Sequence, residues 1–173
     1  MGLIDLIRAE FKLVYGELFR RRSALIAMIM YPYLLASFTL FFGYFMGSPE
    51  AFRERLGVNP VIYMITASFL LLSLLSATDD LLWRPLSAEF DGTLPYILIS
   101  PVNRLKYYVS IPIPRLTAVV VMGFTSLTPI YIYFEGFNGL LHSLFITFIA
   151  LLGGLLMITP SILITGVVHR IGE

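Results

Sequence analysis

The sequence predicts an all-α integral membrane protein with an amphipathic interfacial helix at the amino terminus, four transmembrane helices, and a short cytoplasmic helix between spans 2 and 3. Hydrophobic residues make up 58% of the 173 residues and charged residues 13%, about half the share in a typical soluble protein. Asp, Glu, Lys and Arg are missing from four long stretches, at residues 23–49, 56–78, 116–134 and 136–168. Because about 20 apolar residues in a helix cross the hydrocarbon core of a bilayer, each stretch is long enough for one span.

The composition also excludes several classes of function. Twelve Lys and Arg nearly balance eleven Asp and Glu, so the chain lacks the strong positive charge of a nucleic-acid-binding protein, and no nucleic acid partner is expected. The sequence contains no cysteine, which excludes disulfide bonds, thiol catalysis and thiolate metal sites. The first apolar stretch is longer than the core of a signal peptide and is expected to be retained as a span.

Residues 1–22 are predicted to form the first element, an interfacial helix. Charged residues interrupt an apolar face at helical spacing, which suits a helix lying in the plane of the membrane surface. A soluble helix packed on a partner is the alternative interpretation. The apolar face comprises Leu3, Ile7, Phe11, Val14 and Leu18.

The four spans are predicted at residues 23–47, 58–78, 108–134 and 140–168, within a single transmembrane domain at residues 1–173. Proline inside a helix removes a hydrogen-bond donor, so bends are expected in the first and fourth spans, at Pro32 and Pro160. Small residues permit close approach between helices. The candidates for such contacts are Gly43 and Gly47 in span 1 and Gly153 and Gly154 in span 4.

The placement of Lys and Arg predicts the orientation of the spans. Basic residues near the ends of spans stay on the cytoplasmic side, whereas acidic residues matter little. With four spans, ten of the twelve Lys and Arg fall on one side of the membrane, and only Arg53 and Arg55 fall on the other. We therefore expect a multi-pass protein of the plasma membrane, with both termini and the connection from Asp79 to Arg115 in the cytoplasm.

The connection between spans 2 and 3 has the local signals of one short helix. Gly92 permits a turn, Thr93 is placed to cap the helix with its side chain, and Pro95 is tolerated in the first helical turn. Pro101 disfavours helical geometry at the preceding residue and ends the element. The prediction is a helix over residues 94–99.

Almost every side chain of this short helix is apolar, although the segment is predicted to face water. Burying one large apolar side chain stabilises by about 1.5 to 3 kcal/mol, so we expect something to cover the helix. The residues alone leave two interpretations open: the helix lies against the bilayer and the ends of the spans, or it docks into a groove of a partner protein. The apolar residues are Leu94, Tyr96, Ile97, Leu98 and Ile99.

Two strings in the same connection resemble the type-2 ABC transporter permease family. Residues 89–94 read Glu-Phe-Asp-Gly-Thr-Leu, and residues 100–104 read Ser-Pro-Val-Asn-Arg. Members of that family carry an acidic residue, Gly-Thr-Leu, a few apolar residues, then Ser or Thr, Pro, Val or Ile, and an Arg three residues after the Pro. The amphipathic entry helix and the order of the spans are similar as well, so the resemblance runs through the whole chain.

The resemblance implies that the short helix is a coupling helix, which docks on a separate ATP-binding cassette subunit. That subunit would bind ATP and Mg, so this chain is expected to need no cofactor of its own, and a second permease copy would complete the conduit. Family members usually have an acidic residue where this chain has Pro95, and they usually have six spans, so the chain is expected to be truncated relative to them. The partner-binding role would fall on Gly92, Thr93, Leu94, Tyr96, Ile97, Leu98, Pro101 and Arg104.

No catalytic constellation is expected. Neither Lys12 nor Lys106 follows a glycine, as the lysine of a phosphate-binding loop does. Asp79 and Asp80 are adjacent and point about 100° apart on a helix, so they are interpreted as solvated residues at the end of span 2 rather than a catalytic pair. Arg115 is expected to extend to the inner lipid headgroups.

The predicted function is therefore a permease subunit of an ABC exporter, or the amino-terminal part of one, in contact with membrane lipids and without enzymatic activity of its own. The alternative is a non-transporting membrane anchor or scaffold that recruits another cytoplasmic protein. His142 and His169 are predicted at opposite membrane faces, so no metal site is expected between them.

Overall fold

The computed structural model describes residues 2–46, 54, 57 and 59–171, and most of these residues are helical. The helices are α1 (Leu3–Arg20), α2 (Arg22–Met46), α3 (Pro60–Phe90), α4 (Leu94–Ile99), α5 (Arg104–Ser110), α6 (Pro112–Glu135) and α7 (Phe137–Ile171). The part of the chain described contains no strand, as the sequence predicts.

Asparagine side chains cap the two helices that follow connections. The Asn59 Oδ1 atom accepts a hydrogen bond of 2.9 Å from the Val61 amide, and Pro60 occupies the first helical position, where its missing donor costs nothing. The Asn103 Oδ1 atom accepts in the same way from the Lys106 amide at 3.3 Å. Local sequence thus sets where α3 and α5 begin.

Helices α6 and α7 form a tight hairpin at two glycines. Gly136 has a φ of +64°, a conformation that favours glycine, and its amide donates to the Ile132 carbonyl oxygen at 2.9 Å. At Gly139, in the first turn of α7, a Cβ atom would lie 2.2 Å from the carbonyl oxygen of Tyr131. The two backbones therefore meet where only glycine fits.

The core lies where α3, α6 and α7 pack against one another. The close contacts expected at Gly153 and Gly154 are confirmed, since a Cβ on Gly154 would lie 2.4 Å from a Leu116 methyl and one on Gly153 would lie 3.2 Å from a Leu74 methyl. Buried residues of the main cluster are Ile62, Phe69, Leu116, Val120, Leu127, Tyr131 and Ala150. A second cluster comprises Leu81, Ile111 and Ile158.

Hydroxyl groups join the helices to one another. The Tyr33 hydroxyl donates to the Ser126 carbonyl oxygen, and the Ser126 hydroxyl donates at 2.7 Å to the carbonyl oxygen of Ile29, so α2 and α6 are tied in both directions. The hydroxyls of Thr66 and Tyr131 lie 2.7 Å apart and tie α3 to α6. These polar groups hold the bundle together in an apolar surrounding.

Three helical segments of the described residues are long and apolar enough to cross a bilayer, namely Pro60–Phe90, Arg104–Glu135 and Phe137–Gly166. The second of these combines α5 and α6. Helix α2 contributes a shorter apolar stretch, Arg22–Phe38. The chain is thus a helical protein suited to a membrane, while the count of four spans and the bilayer boundaries stay predictions, and Gly47 lies outside the described residues.

Most of the predicted connection after residue 78 is helical. Helix α3 does not end at Asp79 but continues to Phe90, and α5 begins at Arg104. The adjacent charges do not break the helix because Asp80 pairs with Arg115 across the bundle. Between residues 79 and 115, only residues 91–93, 100–103 and 111 lie outside the helices.

The packed face of α1 largely follows the predicted one. Leu18 is buried, Ile7, Phe11 and Val14 are partly buried, and of the predicted residues Leu3 is exposed, while Leu6 adds to the buried side. Helix α1 contacts α2, α5 and α6, and the carboxylate of Glu10 lies on this packed side, where it pairs with Arg84 on α3. An ion pair with a distant residue has no signature in the periodicity of α1, which is why the Glu10–Arg84 pair is not predicted from the sequence.

Candidate partner-docking site

The predicted short helix forms over the expected residues, Leu94–Ile99, and is the α4 of the structure. A tight turn precedes it, in which Gly92 has a φ of +67° and its amide donates to the Glu89 carbonyl oxygen at 3.0 Å. The Thr93 amide donates to the carbonyl oxygen of Ala88 at 2.8 Å. The turn folds α4 back onto the last turns of α3.

Thr93 does not cap α4 with its side chain, contrary to the prediction. Its hydroxyl points back to α3 and donates to the Ala88 carbonyl oxygen at 3.2 Å. The backbone carbonyl of Thr93 instead accepts from the amides of Tyr96 at 3.1 Å and Ile97 at 3.3 Å. Thr93 therefore attaches α4 to α3 and still begins the helix.

Helix α4 has an inner and an outer face. Leu94 and Ile97 are half-buried and turn inward, where they line a narrow gap of about 10 Å³ with Ala88 on α3 and with Tyr107 and Tyr108 on α5. A gap this small is too tight for a ligand, so the inner face is an attachment to the bundle. This part of the apolar surface is covered by the protein itself.

The outer face leaves large apolar side chains uncovered. Tyr96 is 77% exposed and Ile99 is 82% exposed, and Phe90, the last residue of α3, is 85% exposed. We call these three residues the outer face. The side chain of Leu98 lies outside the described residues.

The remaining predicted contact residues lie where α4 passes into α5. Pro101 and Arg104 are exposed, and Arg104 is the first residue of α5. The Ser100 hydroxyl donates to the Ile97 carbonyl oxygen at 2.7 Å, which closes the end of α4. The structure thus brings most of the predicted docking residues together around one six-residue helix, with Gly92 in the turn.

A layer of ion pairs lies between the main core and α4. The Arg115 Nη1 atom lies 3.0 Å from the Asp80 Oδ1 atom, and Arg84 pairs with Glu10. The prediction that Asp80 is solvated is wrong, because its side chain is largely covered and paired with α6. Arg115, expected to extend to lipid headgroups, is held by this same pair.

The distance from this layer of ion pairs to the turn before α4 follows from the rise of the helices. At 1.5 Å per residue, α3 continues about 15 Å from Asp80 to Phe90, and the α5–α6 segment covers a similar distance from Arg104 to Arg115. Charged groups are costly in hydrocarbon and favour its edge. Helix α3 and the α5–α6 segment therefore both extend past the layer of ion pairs, and α4 connects their ends.

The described residues contain no group of three or more His, Asp and Glu side chains placed to hold a metal ion. His142 pairs instead with Glu135 near the α6–α7 hairpin, a contact that the sequence reasoning did not single out. The polar hydroxyls at Ser68, Thr125 and Thr147 donate to carbonyl oxygens of their own helices.

Comparison with models of known protein families, with curated proteins and with solved structures gives no match for this chain.

Proposed function

We propose that the chain is the membrane subunit of an ATP-driven ABC exporter and that α4 is its coupling helix. The observation that carries the proposal is the division of α4 into an attached inner face and an uncovered apolar outer face. The resemblance of residues 89–94 and 100–104 to the type-2 ABC permease pattern supplies the identity of the partner class. The driving chemistry would occur in a separate ATP-binding subunit.

The outer face is more stable against a protein partner than in water, because a partner would bury its apolar side chains. Covering Phe90, Tyr96 and Ile99 would stabilise by roughly 5 to 9 kcal/mol in total. Because the turn before α4 lies about 15 Å along α3 from the Asp80–Arg115 pair, the hydrocarbon core is a poor candidate for covering it. An apolar groove on a cytoplasmic protein fits a short helix of this kind.

The attachment of α4 makes it suitable for transmitting force. It is fixed to α3 through Thr93 and Ala88, and it packs on α5 through Ile97. Helix α3 and the α5–α6 segment both run from α4 into the core. A displacement of α4 by a partner would therefore move two long helices of the bundle together.

Site-specific photocrosslinking tests the proposal. A photoreactive benzoylphenylalanine at position 96, in membranes of the cells that produce the protein, is expected to capture a protein with a nucleotide-binding fold. The yield should change when ATP and vanadate are added, because the partner closes on nucleotide. The matched control is the same residue at Tyr133, which is 82% exposed at the far end of α6.

The exporter hypothesis and the anchor or scaffold hypothesis predict different results in this experiment. Capture of an ATP-binding protein from position 96 but not from position 133 would support the exporter subunit. Capture of a protein without a nucleotide site, with a yield unaffected by ATP, would contradict the exporter and favour the anchor or scaffold. Equal capture at both positions would remove the docking role of α4.

A further inference from the structure

A cavity of about 470 Å³ lies between α2, α3 and α6, away from α4. Its volume falls in the range of small-molecule sites, roughly 300 to 1,000 Å³. The lining is mainly apolar, with Asp79, Thr78, Ser76 and Arg115 as its polar members.

The cavity opens sideways between α2 and α3. Ala27 and Tyr31 on α2 and Leu75 on α3 line it and are also exposed on the outer surface of the bundle. In a helical protein suited to a membrane, such an opening beside apolar side chains faces lipid. A ligand would therefore enter from the bilayer and would itself be largely apolar.

The charges at this cavity leave one carboxylate without a partner. Asp79 lines the cavity, is exposed, and forms no hydrogen bond or ion pair with the described residues. The other charged lining residue, Arg115, is already paired with Asp80 at 3.0 Å. These three residues together carry one excess negative charge.

The cations near Asp79, Asp80 and Arg115 do not neutralise this excess negative charge. A neighbouring polar cavity of about 300 Å³ shares Arg115 with the first one and is lined by further charged residues. Among these, Arg21 pairs with Glu17 at 3.3 Å, and Arg84 pairs with Glu10. Each neighbouring cation thus has its own carboxylate, and the excess stays at Asp79.

The hydroxyl groups in the lining also favour a positively charged ligand. The Ser76 hydroxyl donates to the Ser73 carbonyl oxygen at 2.9 Å, and the Thr78 hydroxyl donates to that of Leu74 at 3.2 Å. Their hydrogens are therefore used within α3. The Thr78 oxygen also accepts from the Ser161 hydroxyl on α7 at 3.3 Å, so the acceptor oxygen left for a ligand is chiefly that of Ser76. Tyr31 adds an aromatic ring, whose face attracts a cation.

We propose that this cavity binds a lipophilic cation, with the positive group at Asp79 and the apolar body among the leucines of α3. The site does not require the ATP-binding partner or α4, so it can be tested on the chain alone. Loss of this site would leave the docking proposal intact, and loss of docking would leave this site intact. The chemical class of the ligand is thus an amphiphile with one delocalised or quaternary positive charge.

Binding of tetraphenylphosphonium to the purified full chain in phosphatidylcholine nanodiscs tests the proposal. We expect saturable binding above that of empty nanodiscs, while the anionic isostere tetraphenylborate shows none. Because Asp79 is exposed, Asp79→Asn should weaken binding of the cation about two- to fivefold, as loss of a solvent-accessible charge partner does. Asp79→Glu, which keeps the charge, should retain binding.

Two further variants separate the site from general effects. Asp91→Asn removes an exposed acidic residue on the far side of the charged layer and should leave binding unchanged. Ala27→Trp should fill the opening and abolish binding without removing a charge. Equal binding of the anion and the cation, or undiminished cation binding by a folded Asp79→Asn protein, would overturn the proposal.

Discussion

Gly139 allows the backbones of α6 and α7 to approach more closely than side chains permit. The atom nearest to a Cβ at this position is a backbone carbonyl oxygen, that of Tyr131, at 2.2 Å. A flexible side chain could rotate away, but a backbone atom moves only if the helix moves. The hairpin geometry of α6 and α7 therefore depends on Gly139 as well as on the turn at Gly136.

We expect Gly139→Ala to lower the free energy of unfolding by about 1 to 3 kcal/mol, because the added methyl group forces the two helices apart. The measurement is unfolding of the purified protein by SDS in mixed micelles. Gly16→Ala is the matched control, since Gly16 is helical and a Cβ there meets no atom within 4 Å. That control should be neutral or slightly stabilising, and equal losses in both variants would contradict the explanation.

Among elements, α1 shows how a charge can hold an amphipathic helix to the bundle. Glu10 on α1 and Arg84 on α3 form a pair that is mostly covered, with side-chain exposures of 12% and 23%. Removing one partner leaves the other charge poorly solvated, which costs more than the pair itself contributes. The pair fixes α1 in place more specifically than its apolar residues do.

Glu10→Gln should therefore loosen α1 without unfolding the bundle. Hydrogen exchange followed by mass spectrometry is expected to show amide exchange in α1 at least several-fold faster, with α6 and α7 unchanged. Glu17→Gln is the control, because the Glu17–Arg21 pair is within one turn and largely exposed. Unchanged exchange in α1 of the Glu10→Gln protein would show that apolar contacts alone hold the helix.

The elements also show what can be predicted from sequence. Helix α4 was predicted at its observed bounds because Gly92, Pro95 and Pro101 act locally, within a few residues. The Glu10–Arg84 pair on the packed side of α1 and the Asp80–Arg115 pair between α3 and α6 are not predicted. Both join residues 35 or more positions apart, and hydropathy periodicity carries no record of such pairs.

At α4 and the cavity, too, the sequence predicts local features but not long-range packing. The apolar character of α4 was legible in the sequence, but which side chains turn outward depends on how α4 packs on α3 and α5. Likewise, the sequence alone does not show which of Asp79 and Asp80 has an ion-pair partner. Only the position of Arg115 on α6 gives Asp80 a partner and leaves Asp79 at the cavity.

At the scale of the whole molecule, coupling of α4 to a cytoplasmic partner requires that the two ends of the bundle face opposite sides of a membrane. Helix α4 lies at one end, and the α6–α7 hairpin with Tyr133 lies at the other, because α6 runs continuously between them. The distribution of Lys and Arg predicts that the α4 end is cytoplasmic. A cytoplasmic ATP-binding partner can reach α4 only in that orientation.

Because the sequence has no cysteine, a single introduced cysteine gives an unambiguous label. Tyr96→Cys and Tyr133→Cys each replace an exposed side chain and are labelled with a membrane-impermeant maleimide in intact cells and in inside-out vesicles. The account predicts labelling of position 96 only in inside-out vesicles and of position 133 only in intact cells. Labelling of position 96 in intact cells would place α4 outside the cell and contradict its coupling to a cytoplasmic ATPase.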